Sequence, residues 1–537
     1  GGPWLRATEW VMGRIAPLQG DIGRTHYLLL LGANQEAQGV GPLQTGPRLL
    51  ADLAFSRKTK NTKVVAVDPR RTPLAASADL HLKCLPGTEL YFLLGMIQAI
   101  LQNRWYDEQY VRDYTTGFAP IQQILAPWTL ERCAAACGLA PADIQAVALK
   151  FSRAAMALGW RSEQSLNSTH GTLTAWALLV LHALTANLLR PGGIYENRGV
   201  FDLRPIAGRL PTHKAPRSRV GGYPLLLLQA PGSILAEELS TPGEGQLRAL
   251  ICLHGDPLHE QPGGDQLAQG LRDLELLVCT DLAENHTTKL AHWILPSTHA
   301  WERSDLRLLD SPLLPFRMAA RTDALVSAPG EAKGEEWILA ELFRRVGPSW
   351  RGGHFGPHLR LMGGALATAN LDKWQERAWD ERADSPLSSL SPDWNGGDVD
   401  RATWRPAHED GRFHLLPPPV SEALSSLSEP ASVPGLPLRL LSSAARDAAL
   451  RPFDRPTAVD PGVTLHPSLG FTEGQRVRIR TRAGQVEATV HLDANLQAAT
   501  VDLPSGYEVD VMRLIPLGER DPFTGTPALN GLPCAVE

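Results

Sequence analysis

At 537 residues the chain is too long for one compact core, and its length predicts three or four domains. Hydrophobic residues make up 43% and charged residues 20%, an ordinary globular composition. With 52 Lys plus Arg against 57 Asp plus Glu, the net charge of −5 gives no basic footprint for a phosphate backbone, so nucleic acid is excluded as a partner.

The sequence opens on Gly1-Gly2-Pro3-Trp4 with no charged-then-apolar signal pattern, so its true start is expected upstream. Arg70-Arg71 lies too deep to be an export signal, and the expected location is cytoplasmic. The first apolar run, HYLLLL at 26–31, reads as a buried strand that ends in Gly32-Ala33-Asn34-Gln35. A helical stretch over 47–57 leads to a second strand, KVVAV at 63–67, closed by Asp68-Pro69-Arg70. A third strand at 79–84 runs into Pro86-Gly87-Thr88-Glu89, where Thr88 is placed to N-cap a helix over 90–101. This alternation predicts a parallel sheet with helices on both faces.

A second α/β unit is expected after residue 150. AMALGW (155–160) reads as a strand and 171–189 as a long buried helix. Its apolar core from Ala175 to Leu189 is interrupted by His182 and Asn187, and it is shorter than the roughly 20 residues that span a bilayer. No membrane insertion is expected. Further strands are predicted at 247–253, 274–280 and 292–296. From about 350 to 440, runs such as SPLSSLSPDWNGG and LPPPVSEALSSLSEP read as a linker or insertion. Past 460, QRVRIRT (475–481), QVEATVHL (485–492) and ATVDLP (499–504) are consecutive short strands of a small β-domain. The expected units are 1–150, 151–345, a linker or insertion at 346–450, and a barrel at 451–537.

Six cysteines stand at 84, 133, 137, 252, 279 and 534, spacings from which no tetrahedral metal site or iron–sulfur quartet can be assembled. They read as buried thiols in a reducing compartment. The histidines at 254, 286, 292 and 299 read as mixed core and surface residues, and Glu302-Arg303 as either a site pair or a solvated ion pair. No P-loop, nucleophile elbow or His-Glu-x-x-His is present, and Gly39, Gly41 and Gly46 are wrongly spaced for a conventional dinucleotide site. In open α/β sheets, however, ligands bind beyond the carboxyl ends of the strands. There Gly32 lets the backbone approach a phosphate, Asp68 stands where an acid takes ribose hydroxyls, and Arg70 and Arg71 add charge for a pyrophosphate. Each of these residues alone also reads as a turn residue. Together they suggest a nucleotide lying across the strand tips.

The run KVVAVDPRRTPLAASADLHLKCLPGTELYFLLGMIQAIL resembles the signature of the molybdopterin oxidoreductase family, which includes dimethyl-sulfoxide reductases, formate dehydrogenases and nitrate reductases. YDEQYVRDYTTGF (106–118), HGTLTAWALLVLHALTANLLRPGG (170–193), ENHTTKLAHWILPSTHAWER (284–303) and the tail from LHP (465–467) to the end resemble further family segments in the same order. The likeness covers nearly the whole chain outside about 350–440. It implies two Rossmann-like parallel-sheet units and a C-terminal six-stranded barrel of double-psi type. It also implies two pterin guanine dinucleotides around one Mo or W, one held by each unit. The resemblance places Gly32, Asn34, Asp68, Arg70, Gly87, Thr88 and Glu89 at the first nucleotide site, with Glu89 replacing the usual Asp. It places Asn167, Gly171, Thr172, Thr280 and Asp281 on cofactor-contact segments of the second unit, with Asp256 replacing the usual Asn of Gly-Asn-Pro. Pro504, Gly506 and Tyr507 match a turn over the pterins, and the Asn that usually follows is replaced near Met512. The family's iron–sulfur segment and metal-ligating residue would precede His26. They are expected upstream or, for the cluster, in a partner, so these residues alone are expected to show no turnover.

The implied function is two-electron redox of a small-molecule substrate, with electrons passing to an iron–sulfur partner. Two other readings stand beside it. One is a non-catalytic scaffold subunit, similar to the pterin-fold domain in the large peripheral subunit of respiratory complex I. The other is a nucleotide-binding α/β protein unrelated to molybdenum, against which the β-rich tail argues.

Overall fold

Short apolar runs bounded by polar turns build the first sheet. The computed structural model describes residues 2–16, 18–32, 49–196, 216–307, 320–346, 406–443, 462–505 and 509–537. Helix α1 (Gly2–Met12) and strand β1 (Leu18–Gly20) precede β2 (Tyr27–Leu31), which is buried along its whole length. Then come α2 (Leu49–Lys60), β3 (Lys63–Val67), α3 (Pro73–Ser77), β4 (Leu80–Leu82) and α4 (Glu89–Gln102). Helix α3 starts where it does because the Thr72 hydroxyl accepts from Ala75 N at 3.1 Å and Pro73 occupies the first turn, where a missing N–H leaves no bond unmade. Helix α5 (Glu108–Tyr114), strand β5 (Thr115–Thr116), and helices α6 (Phe118–Leu125), α7 (Leu130–Cys137) and α8 (Pro141–Arg153) lead to β6 (Ala157–Arg161). Helix α9 (Gly171–Leu184) and β7 (Ile194–Glu196) follow.

The strand order is β4-β3-β2-β6, with every neighbouring pair parallel. This corrects one expectation. Strand β6, placed by sequence in the unit beginning at 151, pairs along β2 from Tyr27–Ala157 to Leu31–Arg161. An apolar run signals a strand but not its partner. Helix α9 belongs to the same body, since all its residues are buried and it packs on α1 and α4. Strand β7 returns antiparallel to β1. The first α/β unit therefore extends to Glu196.

The second sheet is smaller. Helix α10 (Leu235–Ser240), β8 (Ala249–Leu253), α11 (Gly264–Arg272), β9 (Leu276–Asp281) and β10 (Trp293–Pro296) give three parallel strands in the order β10-β9-β8. Cys252, Leu277 and Cys279 pack with Ala236, Leu239, Leu267 and Leu271 of the two helices. Strands β11 (Asp305–Arg307) and β12 (Ala320–Thr322) pair antiparallel, and α12 (Glu335–Val346) follows.

Residues 406–443 are not the expected linker. Strand β13 (Phe413–His414) pairs with β5, α13 spans Pro418–Ser425, and Phe413, Leu415, Val420 and Leu424 join the first core. Prolines that read as loop lie in the first turn of α13, where they are tolerated. The rest of the presumed linker, 347–405, lies outside the described residues. The barrel also begins before residue 451. It closes from β14 (Leu438–Leu441), β15 (Val463–Leu465), β16 (Arg476–Arg480), β17 (Gln485–Leu492), β18 (Thr500–Asp502) and β19 (Asn530–Val536), in the order β14-β18-β15-β17-β16-β19. Two of its pairings, β14 with β18 and β15 with β17, are parallel. In β16, Val477 and Ile479 point into the barrel core while Arg476 and Arg478 face out, the alternation a closed sheet needs. Among the described residues no helix is long and apolar enough to cross a membrane.

Candidate nucleotide site at the strand tips

Strand β2 ends at Gly32 with φ +69°, and a Cβ there would come within 2.4 Å of Ser162 Oγ at the tip of β6. Only glycine fits that bend. Strand β3 ends at Asp68, which is 2% exposed and whose Oδ1 accepts from Arg70 N at 2.8 Å. The Arg70 guanidinium lies between two acids, with Nε 3.6 Å from Asp68 Oδ1 and Nη1 3.8 Å from Asp502 Oδ2 at the end of β18. Pro69 O accepts from Gln497 N at 2.8 Å, so the barrel sits directly on the tip of β3. Burial pushes the Asp68 carboxyl above its usual range, Arg70 opposes this, and Asp502 adds to it.

The loop after β4 is fixed by close approach. Gly87 has φ +74°, and a Cβ on it would stand 2.8 Å from Gly531 Cα in β19. Thr88 is the N-cap residue of α4, but its hydroxyl donates back to Leu85 O at 2.7 Å and makes no side-chain cap. Glu89 beside it is buried. Desolvation raises its carboxyl to about 7, with the amides of Glu89 and Gly87 pulling it down and Asp68 pushing it up.

The segment 161–172 ties this tip to the barrel. Asn167 O accepts from Leu529 N and Asn530 N, each at 3.0 Å. The Asn530 side chain donates to Gln164 O at 2.7 Å and accepts from Ser442 N at 3.0 Å. Gly171 is required for packing, since a Cβ would lie 1.9 Å from Leu166 O. Thr172 does not face a ligand: its N and Oγ1 donate to Asp521 at 2.8 and 2.7 Å, which makes it an anchor for the barrel. Beside this junction opens a cavity of about 260 Å³ lined by Thr88, Tyr91, His170, Arg439 and Asn530. Sequence reasoning missed Asp502, Asn530, Asp521 and Arg161. The buried Arg161 guanidinium lies 4.3 Å over Trp4 and 2.9 Å from Glu163.

In the second unit Asp256 is consumed locally. It accepts from His286 Nδ1 at 2.8 Å and from Thr287 N and Oγ1 at 2.9 and 2.8 Å, and the His286 and Thr287 bonds hold its carboxyl below the usual range against desolvation. Thr280 Oγ1 donates to Glu335 at 2.7 Å, and Asp281 accepts from Asn285 Nδ2 at 2.7 Å. His254 meets Ser297 Oγ at 2.7 Å, and the His292 ring accepts from Leu277 N at 2.9 Å. Glu302 accepts from His299 N at 2.9 Å while Arg303 reaches Glu336 at 4.0 Å, so those two neighbours serve different partners. A cleft of about 780 Å³ separates this unit from the barrel, with His259, His286 and Arg272 on one wall and Arg476 and Arg513 on the other.

Pro504 is half-buried just past β18, and Met512 is buried in the barrel core. Asn34, Gly506 and Tyr507 lie outside the described residues. All six cysteines are free and buried. At the first tips the buried polar groups hold more carboxylate acceptors than donors, which suits a ligand that brings hydrogen-bond donors. Arg70 Nε, Glu89 Oε2, Asp502 Oδ1 and Ser442 Oγ are buried with no hydrogen-bond partner among the described residues, next to a strand end that only glycine can form. These are donors and acceptors held out of water with bonds still to make.

A family model described as molybdopterin oxidoreductase matches residues 8–345. The α subunit of F420-dependent formate dehydrogenase 2 from Methanococcus maripaludis is 27% identical over 61% of this chain and 48% of its own length. The assimilatory nitrate reductase catalytic subunit of Bacillus subtilis is 25% identical over 61% of this chain and 46% of its own length. The chain thus spans about half the length of these relatives. The solved structure of acetylene hydratase from Pelobacter acetylenicus shares the fold, with a TM-score of 0.75 at 19% identity, covering 100% of this chain and 80% of that one.

Proposed function

The chain belongs to the molybdopterin oxidoreductase family, and from that premise we propose that it is the nucleotide-binding body of a molybdopterin-dependent oxidoreductase. In this reading the cofactor is the bis-pterin guanine dinucleotide form carrying Mo or W. The observation that carries the reading is the convergence of Gly32, Asp68, Arg70 and Glu89 at one set of parallel strand tips, under a barrel that supplies Asp502. When bound, the cofactor supplies a two-electron redox centre. The protein's own work is binding and orientation. Asp68 and Glu89 accept from a donor edge, Arg70 donates, and the barrel on Pro69 keeps water from the strand tips. A small-molecule substrate and an iron–sulfur electron-transfer partner would complete this reading.

A scaffold role is the second reading. One observation favours it: Asp256 and Thr172, on cofactor-contact segments by resemblance, direct their polar groups to internal partners. Expression in a host that makes the cofactor decides between the two. The purified chain is assayed for Mo or W and for released guanine nucleotide. Both bound in stoichiometric amounts supports the first reading, and neither bound moves the assignment to a scaffold.

A further inference from the structure

The second sheet sets two of the six cysteines side by side. Cys252 of β8 and Cys279 of β9 are register partners on adjacent parallel strands. Both turn toward helices α10 and α11, where they pack with Leu239, Leu267 and Leu271. Neighbouring strands lie roughly 4.8 Å apart, inside the roughly 4.4–6.8 Å between Cα atoms that a disulfide spans. Cys252 is 9% exposed on a strand at the edge of its sheet, whereas the other five cysteines are at most 1% exposed. The Cys252 sulfhydryl donates to Gly255 O at 3.3 Å. That hydrogen can turn instead to Cys279, whose thiol is raised by burial and pulled back by hydrogen bonding from Cys252.

We propose that Cys252 and Cys279 close a reversible disulfide when a small-molecule disulfide such as oxidised glutathione accumulates, and that closing it loosens the loop 254–256 at the tip of β8. Cys252 attacks the small disulfide, forming a mixed disulfide and releasing one thiol. Cys279 then attacks the Cys252 sulfur, closing the protein bridge and releasing the second thiol. Two electrons and two protons pass from the pair to the oxidant, whose S–S bond is the one reduced. Burial pushes the Cys252 thiol up to about 12, so the first attack is slow at neutral pH and quickens as pH rises. The link to the loop is the hydrogen that is lost. Once Cys252 is bridged, Gly255 O keeps a 3.5 Å contact with Asn285 Nδ2 and loses its thiol donor. His254, just before it, holds a left-handed φ of +44°, a bend that persists in a non-glycine residue only while its surroundings enforce it. The same loop carries Asp256, which binds His286 and Thr287. Cys84 and Cys137 are the rival pair, since their thiols also hydrogen-bond, but both lie deep in the first core.

The test treats the native full chain with oxidised glutathione at mildly alkaline pH, then quenches it in acid. The products are read by intact mass, peptide mapping and hydrogen exchange. A loss of about 2 Da is expected, for the two hydrogens removed, with one cross-linked peptide joining Cys252 to Cys279 and full reversal by dithiothreitol. Amide exchange over 253–258 should rise about three-fold or more in the oxidised form while strand β17 stays unchanged. In Cys279→Ser the second attack is impossible, and Cys252 should retain the glutathione. No bridge in a chain that stays folded overturns the proposal, as does a bridge confined to Cys84 and Cys137. A Cys279→Ser protein that takes up no glutathione at Cys252 also overturns it, because the first attack then does not occur. A Cys252–Cys279 bridge with unchanged exchange over 253–258 overturns the coupling to the loop and leaves the modification site standing.

Discussion

Asp68 and Glu89 are both buried acids at one sheet tip, yet they answer to different neighbours. Asp68 touches Arg70 through backbone and side chain, whereas one oxygen of Glu89 has no hydrogen-bond partner among the described residues. Asp68→Ala should therefore weaken guanine-nucleotide retention by about 1.5–3 kcal/mol, the loss of one charge-assisted hydrogen bond. The cofactor-free fold should lose only about 1 kcal/mol, because removing the acid also removes its desolvation cost. Retained nucleotide and chemical-denaturation midpoint, measured on the same preparation, check this; a collapsed midpoint with retention intact would make Asp68 structural. For Glu89 the prediction concerns pH. Its folded carboxyl is raised from the ordinary 4.5 to about 7, so between those values the native state binds more protons than the unfolded chain. That contribution is fully present below 4.5 and is lost as pH rises through 7, on the order of 3 kcal/mol in all. Glu89→Gln should flatten the unfolding free energy of the ligand-free protein across that window, and an unchanged pH profile would refute the assignment. At this scale the sequence shows Asp68, Arg70 and Gly32 because each follows an apolar strand. It does not show Asp502, Asn530 or Arg161, whose partners are brought near only by the fold.

At the scale of elements, the N-terminus of α9 is held by a group from another domain. Asp521 takes the amide and hydroxyl of Thr172, and also Thr524 N and Oγ1 at 3.0 and 2.8 Å. Five donors converge on one carboxylate when Phe523 N at 3.2 Å is included, which offsets a desolvation that still raises the carboxyl above its ordinary range. Asp521→Ala leaves those donors buried and unpaired and should cost about 3–5 kcal/mol. Urea unfolding followed by tryptophan emission measures the loss; a change under about 1 kcal/mol would mean water replaces the carboxylate. This clasp also explains why Thr172 misleads a reader of the sequence. A Gly-Thr pair opening a long buried helix looks like an anion-binding terminus, and here the anion is the protein's own. Strands β3 and β17 are legible to the residue because their runs are short, apolar or alternating, and bounded by turns. Helix α13 is hidden by its prolines, and the partner of β6 is hidden because local pattern carries no topology.

For the whole molecule, the two sheets differ in how much they cover. The first is buried between α1, α4, α8 and α9 and the segment around Phe413, so residues from far apart in sequence share one core. The second has helices α10 and α11 on one face. On its other face the register sets Ile251, Val278 and Trp293 in a row, with Leu253 and Leu276 two residues away along their strands. Ile251 is 46%, Leu253 41%, Leu276 39% and Trp293 65% exposed. Parallel sheets are ordinarily covered on both faces, and contiguous exposed apolar surface favours association. Trp293 is also on an edge strand, where an exposed aromatic invites pairing with another chain. Replacing it with lysine removes apolar surface without opening a cavity, so the Trp293→Lys protein should unfold within about 0.5 kcal/mol of wild type. It should bind less of an apolar dye such as anilinonaphthalene sulfonate and stay monodisperse to higher concentration in light scattering. If instead the midpoint falls by the several kcal/mol typical of a core tryptophan, Trp293 is packed inside the protein in solution and this face is not bare.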